Sequence, residues 1–325
     1  MNRLLTYREA IQEAMQEEMR RDESVFLLGE DIGLHGGPYK ATKRLYEEFG
    51  PSKIMDTPIS ESAIVGVAMG AAMGGLRPIA EIMYIDFMTL CMDQVVNQIA
   101  KARYMSAGQI ELPLVIRTQG GAGRSSAAQH SQSLEAWFIH VPGLKVVMPC
   151  TPYDAKGLLK TAIRDDDPVV FIEHKSLYGI SGEIPEGEYL IPFGHADVKH
   201  NGKDVTIITY SRMVHVSKKA AEELEETGTS VEVIDLRSLN PLDIDTIVES
   251  VKKTHRVIIV EEDCKTGGVG AEIGFCINEH AFDYLDAPMV RVACRDVPIP
   301  YAPNLEGEAL PDKTSIIKAV RAIIR

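Results

Sequence analysis

In the stretch Asp56–Gly75, DTPISESAIVGVAMGAAMGG, the acid Glu61 precedes three glycines that are spaced four residues apart. Residues four apart lie on one face of an α-helix, so residues 62–75 predict a helix with a glycine stripe along one side. Glycine in a helix interior costs about 1 kcal/mol relative to alanine. The stripe of Gly66, Gly70 and Gly74 therefore indicates that another backbone approaches closely, from either the chain's own sheet or a second subunit.

Short apolar runs flank this helix in the sequence. Residues 25–29 (VFLLG) and 79–85 predict buried strands, and residues 7–21 predict an amphipathic helix. The alternation of strands and helices continues to residue 173 and resumes at residue 205. This order is typical of an α/β protein in which mostly parallel sheets are flanked by helices.

The alternation stops between residues 178 and 202, where SGEIPEGEYLIPFG is rich in proline, glycine and acids. Such a segment predicts a linker. A length of 325 residues also fits two domains at roughly 150 residues each. We expect a first domain at residues 1–190 and a second at residues 191–325.

The composition excludes several classes of protein. Apolar residues make up 45% and charged residues 25%, as in ordinary globular chains. The net charge of −13 disfavours binding to nucleic acid or to an anionic membrane surface. The longest uncharged stretch, 62–76, is shorter than the ~20 residues that span a bilayer. Five scattered cysteines without a C-x-x-C pair predict neither a disulfide framework nor a zinc site, and indicate the cytoplasm.

Two polar residues lie where an open parallel sheet binds its ligands, beyond the carboxyl ends of strands, and a third lies at a helix start. Glu30 follows the strand VFLLG, and His130 follows LPLVIR and a glycine-rich loop. Glu61 lies near a predicted helix start, where the helix dipole favours a carboxylate. Each residue alone also has an ordinary structural explanation, such as a helix cap, a solvated loop acid or a structural histidine.

Two further patterns are weak. Residues 267–270 (GGVG) suggest a dinucleotide loop, but the third glycine of G-x-G-x-x-G would fall on Ile273. No G-x-S-x-G motif occurs, and no cysteine has the context of a nucleophile. The sequence therefore favours neither a nicotinamide-dependent oxidoreductase nor a nucleophilic triad.

The sequence resembles the β subunits of the thiamine-diphosphate-dependent, decarboxylating components of 2-oxo acid dehydrogenase complexes. Glu61, Gly66-Val67, Gly70-Ala71 and Gly74 look like the cofactor-activating motif of thiamine enzymes. Further segments resemble the family in the same order: LGEDIG, GLRPIAEIM, AAQHSQSLEAWF, HVPGLKVVMP, DPVVFIEH, GGVGAEI and DVPIPYA. The resemblance extends from about residue 4 to the C-terminus. It implies a transketolase-like pyrimidine-binding domain and a transketolase C-terminal-like domain.

The resemblance also implies roles for single residues. Glu61 would hydrogen-bond the aminopyrimidine ring of thiamine diphosphate, through a charge-assisted bond shielded from water. Phe87 would stack on this ring, Met83 would line the same pocket, and Glu30 would lie nearby. His130 would face the reacting centre, where it could orient the substrate or the lipoyl group and move a proton. Glu61 and His130 are thus the expected catalytic residues.

Members of this family often hold a potassium ion through backbone carbonyls. The ion would fix the segment that carries His130. The resemblance assigns these carbonyls to Leu114, Ala162, Asp165 and Asp167.

One motif of thiamine enzymes is missing. They bind magnesium and diphosphate through Gly-Asp-Gly, which does not occur in this chain, and the family carries it on a separate α subunit. The resemblance therefore implies a thiamine diphosphate site shared with an α subunit that holds most of the magnesium ligands. The assembly would be an α2β2 heterotetramer. A dihydrolipoyl acyltransferase core and its lipoyl domain would be further partners.

The expected reaction is decarboxylation of pyruvate with reductive acylation of a lipoyl group. Acetoin and branched-chain 2-oxo acids are the alternative substrates, and Asp86 favours acetoin because pyruvate-type members tend to carry a neutral residue there. A non-catalytic docking subunit is an alternative of another class, disfavoured because Glu61 and His130 are both present. A self-sufficient transketolase is disfavoured by the missing Gly-Asp-Gly.

Overall fold

The computed structural model describes residues 2–324 and divides into two compact units. The first contains the chain up to Gly120 together with Trp137–Phe193, and the second contains Gly121–Ala136 and the chain from Gly194 onward. The segment Gly121–Ala136 thus belongs to the second unit, although it precedes part of the first in sequence. The division at residues 190 and 191 stays a prediction.

A parallel sheet forms the centre of the first unit. The strands of this unit are β1 (Asn2–Thr6), β2 (Val25–Gly29), β3 (Ile54–Asp56), β4 (Arg77–Ile82), β5 (Val115–Gly120), β6 (Lys145–Val147), β7 (Val169–His174) and β8 (Ser181–Pro185). Six of them lie in the order β6-β7-β5-β4-β2-β3, and each neighbouring pair is parallel. β1 and β8 form a separate antiparallel pair.

Helices cover this sheet. Those in the chain up to Phe193 are α1 (Tyr7–Arg21), α2 (Leu45–Phe49), α3 (Glu61–Met73), α4 (Ala100–Met105), α5 (Glu135–Ile139) and α6 (Pro152–Arg164). α1 packs against α6, and their apolar sides enter the core. Thr6 caps α1 in a capping box with Glu9, which explains why this helix begins at Tyr7. The helix and the strand predicted at 7–21 and 25–29 are confirmed.

Residues 87–103 do not form one continuous α-helix. The chain forms a 3₁₀ segment at Ile85–Cys91, then a π-helical turn at Asp93–Ile99, and only then α4. The buried residues explain the difference. Ile85, Met88 and Cys91 are three apart, whereas Cys91, Val95 and Ile99 are four apart. The first spacing matches three residues per turn, and the second matches a wider helix.

The second unit has its own sheet. Its strands are β9 (Asp197–His200), β10 (Val205–Thr209), β11 (Val231–Asp235), β12 (Ser238–Asn240), β13 (Val257–Cys264) and β14 (Val290–Cys294). Five of them lie in the order β14-β13-β10-β11-β9, all parallel except β9. The helices are α7 (Arg212–Glu226), α8 (Ile244–Thr254), α9 (Val269–Ala281), α10 (Pro303–Ala309) and α11 (Lys313–Ile323), with a 3₁₀ turn at Phe282–Tyr284. The predicted α/β class, with two mostly parallel sheets flanked by helices, is confirmed.

Strands also occur where the sequence predicted only a linker. β8 and β9 lie between residues 178 and 202. β8 pairs with β1, which lies near the start of the chain, and Leu4 is the register partner of Glu183. Such a partner leaves no local pattern in the sequence. Within residues 2–324, no helix combines the length and the apolar character needed to cross a bilayer.

Candidate functional site

Three acidic residues, Glu30, Asp56 and Glu61, lie at or just beyond the carboxyl ends of β2 and β3 in the first sheet. Gly29 ends β2 and pairs with Asp56 at the end of β3, so the residues that follow both strands leave the sheet at the same edge. Glu30 comes directly after Gly29. The amide of Thr57 donates to the Gly29 carbonyl at 2.9 Å, and Glu61 then begins α3. The parallel pairing thus brings the predicted residues Glu30 and Glu61 to one region.

The charges of these two acids interact. Glu61 is only 8% exposed and occupies the first turn of α3, where the free backbone amides favour a carboxylate. Burial raises the pKa of Glu30, and the neighbouring charge of Glu61 raises it further. Burial and Glu61 together raise the pKa of the Cys91 thiol to about 12. The Glu61 carboxylate therefore lies close enough to Glu30 and Cys91 to act on both.

An apolar surface lies on the segment that follows β4. Met83 and Phe87 are both half-buried, and α3 packs against the 3₁₀ segment that carries Phe87. The Phe87 ring contacts the Tyr84 ring edge to face, with 5.9 Å between centroids. A buried carboxylate beside a partly open aromatic and thioether surface fits a flat heterocycle with a hydrogen-bonding ring nitrogen.

The glycine face of α3 is open. A Cβ atom at Gly66 or Gly70 would meet nothing within 4 Å. Val67 and Met73 on the same face are 55% and 50% exposed, whereas Ile64 on the opposite face is buried. Packing of the stripe on the chain's own sheet, one of the two explanations for the glycines, is therefore wrong. The exposed face remains available to another backbone.

His130 lies in the second unit, in the loop of residues 121–134, which we call the His130 loop. The side chain is half-buried, and its backbone amide donates to the Ala127 carbonyl at 3.3 Å. Ser125 and Ala127 have φ angles of 52° and 62°. Non-glycine residues adopt this left-handed conformation at an energetic cost, and only when their surroundings hold them there.

Two buried carboxylates supply that support, and neither was predicted from the sequence. Glu306 of α10 accepts hydrogen bonds from the amides of Gly123 and Ser125, each at 2.9 Å. Glu262 of β13 accepts from the amide of Ala122 at 2.6 Å. Glu262 directly follows the apolar run RVIIVE (residues 256–261), and a polar residue at the carboxyl end of a strand is a candidate for ligand binding. Glu306 lies in a segment with no strong pattern, 181 residues from Ser125.

The positions matched to a potassium site lie around the turn between α6 and β7. The carbonyls of Leu114 and Ala162 accept hydrogen bonds from neutral backbone amides at 2.9 and 3.3 Å. Each keeps a second lone pair that a cation could use. The Asp165 carbonyl accepts from the Arg77 guanidinium at 3.0 Å, and this positive charge disfavours a cation at that oxygen. Asp167 also belongs to this turn, and its carboxylate pairs with Arg103 at 2.5 Å.

Comparison with known proteins identifies the family of each of the two domains. Residues 3–181 match the family described as "Transketolase, pyrimidine binding domain", and residues 194–316 match "Transketolase, C-terminal domain". A solved structure titled "Split gene transketolase, inactive beta4 tetramer" superposes with a TM-score of 0.81 over 98% of both chains. It is 24% identical, so this likeness concerns the fold alone.

Curated relatives are more similar. The chain is 52% identical to "Pyruvate dehydrogenase E1 component subunit beta" of Porphyra purpurea, over 97% of this chain and 96% of the relative. It is 50% identical to the protein of the same name from Gracilaria tenuistipitata var. liui, over 97% and 98%. It is 49% identical to "2-oxoisovalerate dehydrogenase subunit beta" of Bacillus subtilis (strain 168), over 98% of both chains.

Proposed function

The chain belongs to the β subunits of the thiamine-diphosphate-dependent 2-oxo acid dehydrogenases, and we propose that pyruvate is its substrate. Pyruvate dehydrogenase subunits at 50% and 52% identity over nearly the whole chain support this choice. The 2-oxoisovalerate relative is almost as similar, so branched-chain 2-oxo acids are the second candidate. Acetoin, the first alternative from the sequence, becomes the third candidate and is supported by the buried Asp86.

The observation that carries the proposal is the buried Glu61 at the start of α3, with Glu30 and the Phe87 segment beside it. Bound thiamine diphosphate would supply an electrophilic ring that accepts the electrons of the leaving carboxylate. Glu61 would hydrogen-bond the pyrimidine ring nitrogen, and burial makes such a charge-assisted bond strong. Met83 and Phe87 would contact the ring and exclude water, and Glu30, whose pKa is raised, would hold a proton nearby.

His130 would orient the 2-oxo acid or the lipoyl group and move a proton, as an imidazole can do near neutral pH. Its backbone must then be held in place, because a small displacement of a catalytic group costs much of its effect. The hydrogen bonds from Gly123 and Ser125 to Glu306 supply this restraint.

We assign the open glycine face of α3 to contact with an α subunit in an α2β2 heterotetramer. The α subunit would complete the thiamine diphosphate site and hold magnesium, since this chain lacks Gly-Asp-Gly. A potassium ion would use the carbonyls of Leu114 and Ala162. The dihydrolipoyl acyltransferase core and its lipoyl domain would be the further partners, in the cytoplasm.

Co-expression with an α subunit of the same family tests the proposal. The purified pair is assayed for dye reduction with thiamine diphosphate and magnesium, with pyruvate, acetoin and 3-methyl-2-oxobutanoate offered in parallel. We expect activity that requires both chains and is highest with pyruvate. A higher rate with either other substrate would overturn the assignment of pyruvate. A stable complex that neither binds the cofactor nor turns over any substrate would favour the docking subunit.

A further inference from the structure

Two free cysteines lie side by side at the carboxyl ends of two neighbouring strands in the second unit's sheet. Cys264 ends β13 and Cys294 ends β14, and the two are partners across these neighbouring parallel strands, after a register shift between Val260 and Cys264. The amide of Lys265 donates to the Cys294 carbonyl at 3.2 Å, which ties the two strand ends together. Neighbouring strands are about 4.8 Å apart. This spacing lies within the Cα–Cα range of roughly 4.4–6.8 Å that a disulfide needs.

We propose that Cys264 and Cys294 are a redox-active pair that hydrogen peroxide closes to a disulfide beside the His130 loop. Cys264 is exposed, and Cys294 is only 2% exposed. The Cys264 sulfur therefore reacts first. It gives two electrons to the peroxide, the O–O bond breaks, and a sulfenic acid and one water form. The Cys294 sulfur then attacks the sulfenic sulfur, an S–S bond forms, and the hydroxyl leaves with the thiol proton as a second water.

The surroundings of the pair set its rate. Burial raises the pKa of Cys264, and the charges of Asp263, Asp296 and Glu135 raise it further. Burial also raises the pKa of Cys294 to about 12. The thiolate is the reactive form, so oxidation is slow at neutral pH and faster as pH rises.

The pair is connected to the His130 loop through a small cavity of about 100 Å³. Both cysteines line it, and so do residues 131–134, which directly follow His130. Glu262, whose carboxylate holds the amide of Ala122, lines the same cavity. Formation of the disulfide would change the lining of the cavity that residues 131–134 of this loop also contact. The consequence for catalysis depends on the proposed function, whereas formation of the bond does not.

The experiment uses the whole 325-residue chain assembled with its α subunit. After treatment with peroxide, non-reducing peptide mapping should find a linked pair of peptides containing Cys264 and Cys294, and dithiothreitol should separate them. Hydrogen exchange of residues 122–134 should slow at least twofold in the oxidised protein and recover on reduction. Cys276→Ser, which removes another thiol of the same unit, should keep both effects. Cys294→Ala should abolish both and leave Cys264 as a sulfinic acid.

Conversion of Cys264 to a sulfinic acid in the unchanged protein, with no linked peptide, would overturn the pair. A linked peptide with unchanged exchange of the His130 loop would overturn the connection between them. Neither readout requires turnover. An assembled protein that forms the disulfide but decarboxylates nothing would therefore contradict the proposed function and leave the redox pair standing.

Discussion

Arg117 on β5 binds Glu173 on β7 through two parallel hydrogen bonds, from Nε to Oε1 at 2.6 Å and from Nη2 to Oε2 at 2.9 Å. Both side chains are fully buried. Nη1 of Arg117 also donates to Glu81 on β4 at 2.7 Å, so one cation serves two carboxylates. Burial raises the pKa of Glu81, and Arg117 opposes that shift. The guanidinium of Arg117 thus links the strands β4, β5 and β7 and balances charge on both buried carboxylates.

Replacement of Arg117 by lysine should destabilise the first unit. An ammonium group cannot reproduce the planar arrangement of donors, and at least one carboxylate loses its partner in the core. We expect the free energy of unfolding to fall by about 3–5 kcal/mol, measured by urea denaturation. Arg20→Lys is the matched control, because Arg20 pairs with Glu48 at the surface. That change should cost less than about 1 kcal/mol. Equal losses in the two variants would contradict the buried network.

This network also shows where prediction from the sequence ends. The apolar runs around Arg117 and Glu173 predicted strands, and both residues lie in strands. The pairing of a charge in one run with a charge 56 residues later requires knowledge of the strand order, which local patterns do not contain. The same holds for Glu306 and the His130 loop. Glu61 and Glu30 could be predicted because each lies next to a strongly patterned segment.

Glu61→Gln should fold and assemble but lose activity. The amide keeps the size of the side chain but removes the charge that we assign to the bond with the pyrimidine ring. We expect kcat of the assembled enzyme to fall by about 10²–10⁴-fold, with unchanged subunit stoichiometry. Glu272→Gln is the control, since Glu272 also lies in the first turn of a helix, α9, but is exposed. A nearly normal kcat for Glu61→Gln would refute the catalytic role.

Gly70→Leu should prevent assembly without harming the fold of the subunit. The chain has open space at this position, so the leucine meets nothing within the subunit itself. In the proposed complex it would occupy the space needed by the neighbouring backbone. Size-exclusion chromatography of the co-expressed subunits should show separate chains, with a melting temperature of the β chain at least as high as before. Gly307→Leu, also helical and in open space, is the control. An intact heterotetramer with Gly70→Leu would show that the stripe is not an interface.

Glu306→Gln should loosen the His130 loop. A glutamine has one acceptor oxygen in place of two, and its amide group would face the donors of Gly123 or Ser125. We expect faster hydrogen exchange in residues 122–130 and a lower kcat, by about tenfold or more, with little change in KM. Glu308→Gln, on the same helix but exposed, provides the comparison. Unchanged exchange in this loop would rule out Glu306 as its support.

Glu135 should make the stability of the protein fall as pH rises. Burial raises its pKa well above the ordinary value, and the charge of Asp263 raises it further. The folded chain therefore keeps a proton that the unfolded chain releases near pH 4.3. Because the native state then binds more protons, the free energy of unfolding decreases from about pH 4.3 upward through the folded pKa, by at most about 1.4 kcal/mol per pH unit.

Glu135→Gln removes this proton while keeping an oxygen for the Tyr210 hydroxyl, which donates to Glu135 at 3.0 Å. Urea denaturation between pH 5 and 8 should give a flatter dependence on pH for this variant than for the unchanged chain. Glu279→Gln, an exposed position on α9, controls for the loss of one carboxylate. Parallel pH profiles for the Glu135 variant and the unchanged protein would mean that Glu135 is ionised in the folded state. The buried acids would then need another source of charge balance within the second unit.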